Sequence, residues 1–479
     1  MTKLFPGIIL SVFGVLSLFG QDNHYEYMKM GSRNSVLANA GLARFEDQAA
    51  VIMNPATLSF ANTSSFSFNT TSVGYSNIKF ENGLGQGFNI RYGTLNVLPT
   101  MAAGVVKPKK NEKDFVVGYA LYHPISDRLR FTDRRISEVN VINDAESPGN
   151  ENYLAQFNLD HYVDEVSLVL GVGWNIGEKT ALGISQTFTY RGEEYLNRFT
   201  ASAIPLTPAS VDVVSFSSTF YTKYYKILTQ TKLGLAMEID RWNIGITATL
   251  PSLGIMGSGE VMGEGAINNV HPAYDITQPR TDYFASGRYE KQKVKYKQSM
   301  GVGLGLSKLY GPMRLYAGLN YYAGIPIYDI MNPGPADFIY PNTPSNEAVT
   351  ADFLRVWAGN RSVLNYSLAS DWNVTESRHL MISFHSDKYF TEIGETEPGH
   401  KLPVKNWNNY HFSLGTAQTI GRSDWVIGIR YSYAKRDDVL QPYSLEDPSE
   451  VNFLQGERSV GTVRATALQL LLSYAFRFN

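Results

Sequence analysis

The sequence predicts an all-β protein: a transmembrane antiparallel up-and-down β-barrel, with fourteen strands as the best count and an N-terminal hatch plugging the lumen. Two observations carry that prediction. From residue 63 onward, patterned segments alternate large apolar side chains with small or polar ones, the period-two signature of strands with one face to lipid and one to a lumen. The connections between these segments are short and long in turn, the rhythm of tight turns at one end of a barrel and long loops at the other. No stretch beyond residue 20 approaches the roughly eighteen apolar residues of a spanning helix, so only a closed barrel satisfies the backbone in lipid.

Residues 1–20 hold one charge, Lys3, then an apolar run, and end in Leu18-Phe19-Gly20 before Gln21. They read as a cleavable secretory signal, too short and too N-terminal to span. Residues 21–62 are assigned to the hatch and 63–479 to the barrel. The 13% aromatics, 41 glycines and 30 tyrosines suit lipid-facing strands with interfacial girdles. With no cysteine, neither a disulfide nor a thiolate metal site is available, and a net charge of −2 argues against a nucleic-acid partner.

The clearest strand is 464–478, where Leu468, Leu470, Leu472, Tyr474, Phe476 and Phe478 share one face and Gln469, Ser473 and Arg477 the other. The same template places Trp242, Ile244, Ile246 and Leu250 outward, and likewise Trp425, Ile427, Ile429, Tyr431 and Tyr433. Applied throughout, it predicts strands at 63–74, 95–107, 114–122, 163–174, 179–191, 228–240, 241–250, 293–306, 312–322, 363–373, 377–389, 409–419, 424–435 and 464–478. The long connections are 75–94, 123–162, 192–227, 251–292, 323–362, 390–408 and 436–463, expected outside the cell. Segments 88–94 and 211–225 also carry strand character. They are placed in loops or in extensions above the membrane, with sixteen strands as the alternative.

The segment before the first strand has another texture: Gly31-Ser32-Arg33, then Ala40-Gly41-Leu42-Ala43, Asp47, and Asn54-Pro55-Ala56. Small residues permit close packing, and fourteen strands enclose a lumen too wide for their own side chains to fill. In these residues the chain resembles the FadL/OmpP1/TodX family of outer-membrane transporters for hydrophobic compounds. The specific part of the resemblance covers residues 31–58. It implies a fourteen-stranded barrel closed by a hatch, with Gly41, Asp47, Asn54, Pro55 and Ala56 as hatch-motif residues. It also implies a kinked third strand opening a lateral gap in the wall, at His123-Pro124 here; the plainer reading is that Pro124 ends the strand. The chain departs from the family at its end, where Asn479 follows the terminal aromatic Phe478.

A passive route for hydrophobic solutes follows from these readings: capture at the long loops, passage beside the hatch, and release through the wall. Loops 192–227 and 251–292 carry the expected apolar capture residues Phe216, Phe220, Leu253, Ile255 and Met256. Lys291, Lys293, Lys295 and Lys297 fall at period two and, continued through Gly301, Gly303 and Gly305, are expected to face the lumen mouth. There Lys293, Lys295 and Lys297 would bind a carboxylate head group; the plainer reading is a solvated strand end. The three glycines lie on a strand and leave room for the plug. Arg314 and Arg430 face the lumen by the same period, within reach of hatch carbonyls or Asp47.

The eight histidines lack metal-ligand spacing and no serine sits in a nucleophile elbow, so neither an enzyme nor a cofactor is expected. Glu193-Glu194 and Asp437-Asp438 read as solvated loop carboxylates. The expected partners are a hydrophobic small molecule or fatty acid, and the lipid and lipopolysaccharide of a Gram-negative outer membrane. The second reading is a non-enzymatic outer-membrane component of a protein secretion system, a scaffold with secretion-system proteins as partners.

Overall fold

The structure is a computed structural model that describes residues 24–26, 30–43, 47–108, 115–206, 211–271, 277–334, 338–339, 352–391, 397–402 and 405–478. The expected signal peptide at 1–20 and the terminal Asn479 lie outside the described residues. In chain order the strands are β1 (Ser65–Glu81), β2 (Ile90–Val106), β3 (Phe115–Val139), β4 (Glu151–Gly177), β5 (Thr180–Pro205), β6 (Val214–Ile239), β7 (Trp242–Thr249), β8 (Leu253–Val270), β9 (Thr281–Lys293) and β10 (Gly301–Tyr310). They continue as β11 (Met313–Tyr322), β12 (Ile325–Met331), β13 (Phe338–Ile339), β14 (Val356–Asn360), β15 (Val363–Thr375), β16 (Arg378–Asp387), β17 (His400–Lys401), β18 (Asn409–Ile420), β19 (Ser423–Leu440) and β20 (Val460–Arg477).

Fourteen of these close a barrel in the order β1 to β7, β10, β11, β15, β16, β18, β19, β20, with β20 returning to β1 through Phe66↔Phe476 and its neighbours. Every barrel pair is antiparallel, as the sequence predicts. Segment 88–94 falls largely at the start of β2 and 211–225 at the start of β6, so both lengthen barrel strands and add none.

Within the membrane band the outward residues are apolar, as Leu468, Ile427, Ile429 and Leu304 illustrate, while the inward face carries glycines and small polar residues. Above the band the sign of the alternation reverses. On β4 and β5, Tyr153, Phe157, Leu159 and Phe199 turn inward and are buried, while Asn152, Gln156 and Asn158 alternate with them on the outer face. Much of 123–162, 192–227 and 251–292, read from sequence as loop, is therefore strand: β3 to β6 run on past the membrane and β8 and β9 pair beside them. Their backbone groups satisfy one another, and their inward apolar side chains form a core with Tyr443, Leu445 and Leu454 of the last long connection. The small sheet β12-β14-β17 joins this core through Met331, Val356 and Ala358.

The strand expected at 293–306 is broken. β9 ends at Lys293, residues 294–300 pair irregularly, and β10 starts at Gly301. Across that break the burial pattern changes phase: Val294 and Tyr296 are buried while the four lysines are exposed, yet Gly301, Gly303 and Gly305 are inward. A one-residue slip in a period-two element exchanges its faces, so the lysines cannot be assigned the glycine face.

Candidate functional site

The N-terminal segment lies inside the barrel, its short helical turns packing against β3, β4, β5 and β6 on one side and β10, β11, β15 and β16 on another. Asn54 organises it. The buried carboxamide donates to the carbonyls of Leu42 (3.0 Å) and Leu235 (3.1 Å) and accepts from the Ala56 amide (3.2 Å). Pro55 opens the 3-10 turn Pro55–Phe60, where its fixed φ suits the first position and its missing N–H costs nothing. Asp47 accepts from the amides of Ala49 (2.9 Å) and Asn34 (3.2 Å), and Asn34 in turn accepts from the Gly41 amide (2.6 Å). The five motif residues thus form one bonded unit. Asp47 meets backbone within the segment, whereas Arg430 donates to the Ser35 carbonyl at 2.7 Å.

The wall receives this segment through glycine. A Cβ at Gly183 or Gly245 would overlap backbone atoms of Ala56 or Leu42, and one at Gly305 would lie 2.5 Å from the Leu42 side chain. Gly303 and Gly305 therefore do leave room for the segment, while Gly301 faces Tyr322 instead.

On the loop side of the segment lies a cavity of about 240 Å³, bordered by Met30, Ile52 and Met53 below and by Tyr25, Tyr322 and Phe390 at one flank. Tyr25 is stacked between Tyr322 (4.0 Å) and Phe390 (4.1 Å). The Lys232 ammonium, also in the lining, donates to the Ile52 carbonyl at 2.6 Å.

The opposite flank of the cavity reaches Tyr122, Pro124 and Ile125 of β3. Here the wall changes. β2 pairs with β1 along almost its whole length, but with β3 only from Val106↔Val117 to Met101↔Tyr122. Beyond Tyr122, β3 pairs with β4 alone, after a register shift between Tyr122 and Ile125. Farther along the two strands, the Tyr92 and Phe131 rings lie edge-on, 6.4 Å apart. His123 and Pro124 sit where the ladder stops, with His123 Nδ1 4.0 Å from Asp164.

A charged lattice separates the cavity from the outer core. Arg191 donates to Glu165 (2.5 Å) and to Glu193 (2.8 Å), its guanidinium lies 4.4 Å over the Tyr296 ring, and His161 Nε2 is 2.9 Å from Glu193. The Tyr224 hydroxyl also donates to Glu193. Glu165 and Tyr296 border the cavity, while Tyr224 and Tyr195, beside His161, belong to the apolar core. Sequence reading placed Glu193 in solvent; it is buried because it lies on the inward face of an extended β5. Asp437 and Asp438 are exposed as expected, each paired with a basic neighbour.

The expected capture residues divide. Phe216 and Phe220 are buried in the outer core, Phe220 stacked on His400 at 3.5 Å, so they offer no external surface. Leu253, Ile255 and Met256 are exposed. The lysine ladder divides: Lys293 and Lys295 are exposed on the outer face, opposite buried Val294 and Tyr296, while Lys297 borders the cavity with its ammonium 4.8 Å over the Tyr328 ring.

The architecture is of the outer-membrane type: a closed fourteen-stranded barrel occupied by its own N-terminal segment. No family model matches the sequence, and no curated protein matches it. Solved structures do. A FadL homologue of Pseudomonas aeruginosa shares 13% identity over 95% of this chain and 100% of its own, with a TM-score of 0.58. The toluene transporter TodX of P. putida shares 13% over 97% and 100%, with a TM-score of 0.52. The chain has the fold of the FadL and TodX barrels, the family that residues 31–58 resemble.

Proposed function

We propose that the protein is an outer-membrane passive transporter for hydrophobic compounds, a class that runs from monoaromatic hydrocarbons to fatty acids. The observation that carries this reading is the meeting of an internal cavity with an unladdered stretch of wall at Tyr122, Pro124 and Ile125. The N-terminal segment acts as the hatch, so that a solute above it has the lipid-facing window as its way out. An apolar solute gains about 0.8 kcal/mol for each methylene moved from water into the bilayer, so net flow needs no nucleotide. The Arg191 lattice and the Tyr25 stack must rearrange to admit the solute from the loop side. The fold shared with TodX, described as a toluene transporter, supports the class of solute.

Uptake of radiolabelled toluene and oleate by cells with and without the protein tests this reading. Faster uptake of at least one is expected, and equal rates for both would overturn it. One observation favours the scaffold reading: the loop end is a folded domain with its own core, suited to holding a partner. Co-purification with secretion-system proteins, together with unchanged solute uptake, is the result that reading requires.

A further inference from the structure

We propose that the outer surface at the start of β8 and the end of β9 is a binding site for one phosphorylated glycolipid of the outer leaflet. Its phosphates would lie on Lys293 and Lys295, and its acyl chains on Leu253, Ile255 and Met256. The proposal rests on the membrane placement given above, and not on transport.

Three independent features coincide there. The first is the apolar step. Leu253, Ile255 and Met256 are 70%, 55% and 54% exposed, on a stretch of β8 that pairs with β6 but lies before the first β8 to β9 pair at Ser258↔Lys293. Its other edge is joined to the irregular 294–300 segment only nearby, where the Gln298 amide donates to Ser252 Oγ at 2.7 Å. The second is height. A tilted strand crosses the apolar band in roughly ten residues, which from Trp242 at the turn end of β7 ends near Ser252. Leu253 to Met256 thus stand at the upper rim of the band. Tyr225, the β6 partner of Ser258, marks the same level, and its ring stacks 6.2 Å from that of Tyr190; both tyrosines are exposed, as an interfacial girdle requires.

The third feature is charge. Lys291 and Lys293 are exposed just above that rim and Lys295 at its top, level with Met256, and among the described residues none of the three has an ion pair. The neighbouring carboxylates are already engaged: Glu260 and Glu290 by Arg288 at 3.8 and 2.8 Å, and Glu194 by Lys223 at 3.2 Å. Lys226, the nearest inward amine, donates to the Val294 carbonyl and fixes the backbone that presents Lys293 and Lys295. Unpaired ammonium groups directly above an uncovered apolar strip match the two halves of a phosphorylated amphiphile, whose phosphate oxygens take charge-assisted hydrogen bonds.

Native mass spectrometry of the intact protein, exchanged from phosphatidylcholine nanodiscs doped with lipid A, tests the assignment. One retained lipid A per barrel is expected, falling about tenfold or more in Lys293→Gln/Lys295→Gln and persisting in Lys293→Arg/Lys295→Arg. Leu253→Ser/Met256→Ser should weaken retention as well, and lipid A stripped of its phosphates should be lost. Equal retention by the glutamine variant, or equal retention of dephosphorylated lipid, would overturn the proposal. So would full displacement by millimolar inorganic phosphate, which would mark a bare anion site. Because the lysines are exposed, heat-modifiable gel mobility should be unchanged in all variants. Solute uptake measured in parallel separates failure of this site from failure of the transport reading.

Discussion

Asn54 joins two stretches of the N-terminal segment to the wall with a single carboxamide, accepting from Ala56 and donating to Leu42 and Leu235. Asn54→Ala removes the donor to the Leu42 and Leu235 carbonyls and the side-chain acceptor of the Ala56 amide, a loss of about 0.5–1.5 kcal/mol for each bond. The hatch should undock while the barrel persists, seen as raised single-channel conductance with unchanged heat-modifiable mobility. Arg191 carries more. Arg191→Ala removes the cation between two buried carboxylates, leaving Glu193 only His161 and Tyr224, and should destabilise the outer half by about 3–5 kcal/mol, read as a lowered thermal midpoint. These two residues also mark how far sequence reading reaches. Asn54-Pro55-Ala56 stood out through its proline and the family resemblance, and it forms a local bonded turn. Arg191 and Glu193 did not, because their pairing depends on how far β5 extends beyond the membrane.

At the scale of elements, the strands in the band were legible since lipid imposes one sign on the alternation. Above the band that sign inverts, and inward Phe157, Phe199 and Phe216 read as loop residues to a template built for lipid. Signs of inversion were present in 151–163, whose apolar residues alternate as regularly as those of 464–478. The break at 294–300 was hidden for another reason: a phase slip leaves each half periodic. The small sheet of β14 and β17 carries a pH dependence. Burial against Phe220 pushes the His400 imidazole down to about 4 from its ordinary 6.5. The unfolded chain therefore binds the proton first, so stability is full above about pH 6.5 and is lost as the pH falls toward 4, by roughly 3 kcal/mol. Hydrogen exchange across Val356–Asn360 should accelerate over that window, and His400→Phe should flatten the response. At the window itself, Ile125→Trp should cut solute uptake about tenfold with stability unchanged, since the larger ring fills the opening; the estimate corresponds to one lost order of magnitude in passage, near 1.4 kcal/mol.

For the whole molecule, the long strands, the glycine-lined wall and the hatch act together. The inward glycines remove side chains where the N-terminal segment approaches the wall. The outer core caps the loop end, leaving the cavity between core and segment with the β2 and β3 window at its side. The fourteen-strand count was legible from the rhythm of the connections. The cap was not, because a core assembled from all seven long connections has no signature in any one of them.

The most direct measurement is photolabelling of the protein in native outer membranes with a diazirine-bearing hydrophobic solute, followed by peptide mapping. Label is predicted on Met53, Tyr122 and Ile125, and it should disappear from Ile125→Trp at the window while persisting on Met53. Label confined to the lipid-facing strands, with none on the cavity residues, would contradict a route through the barrel.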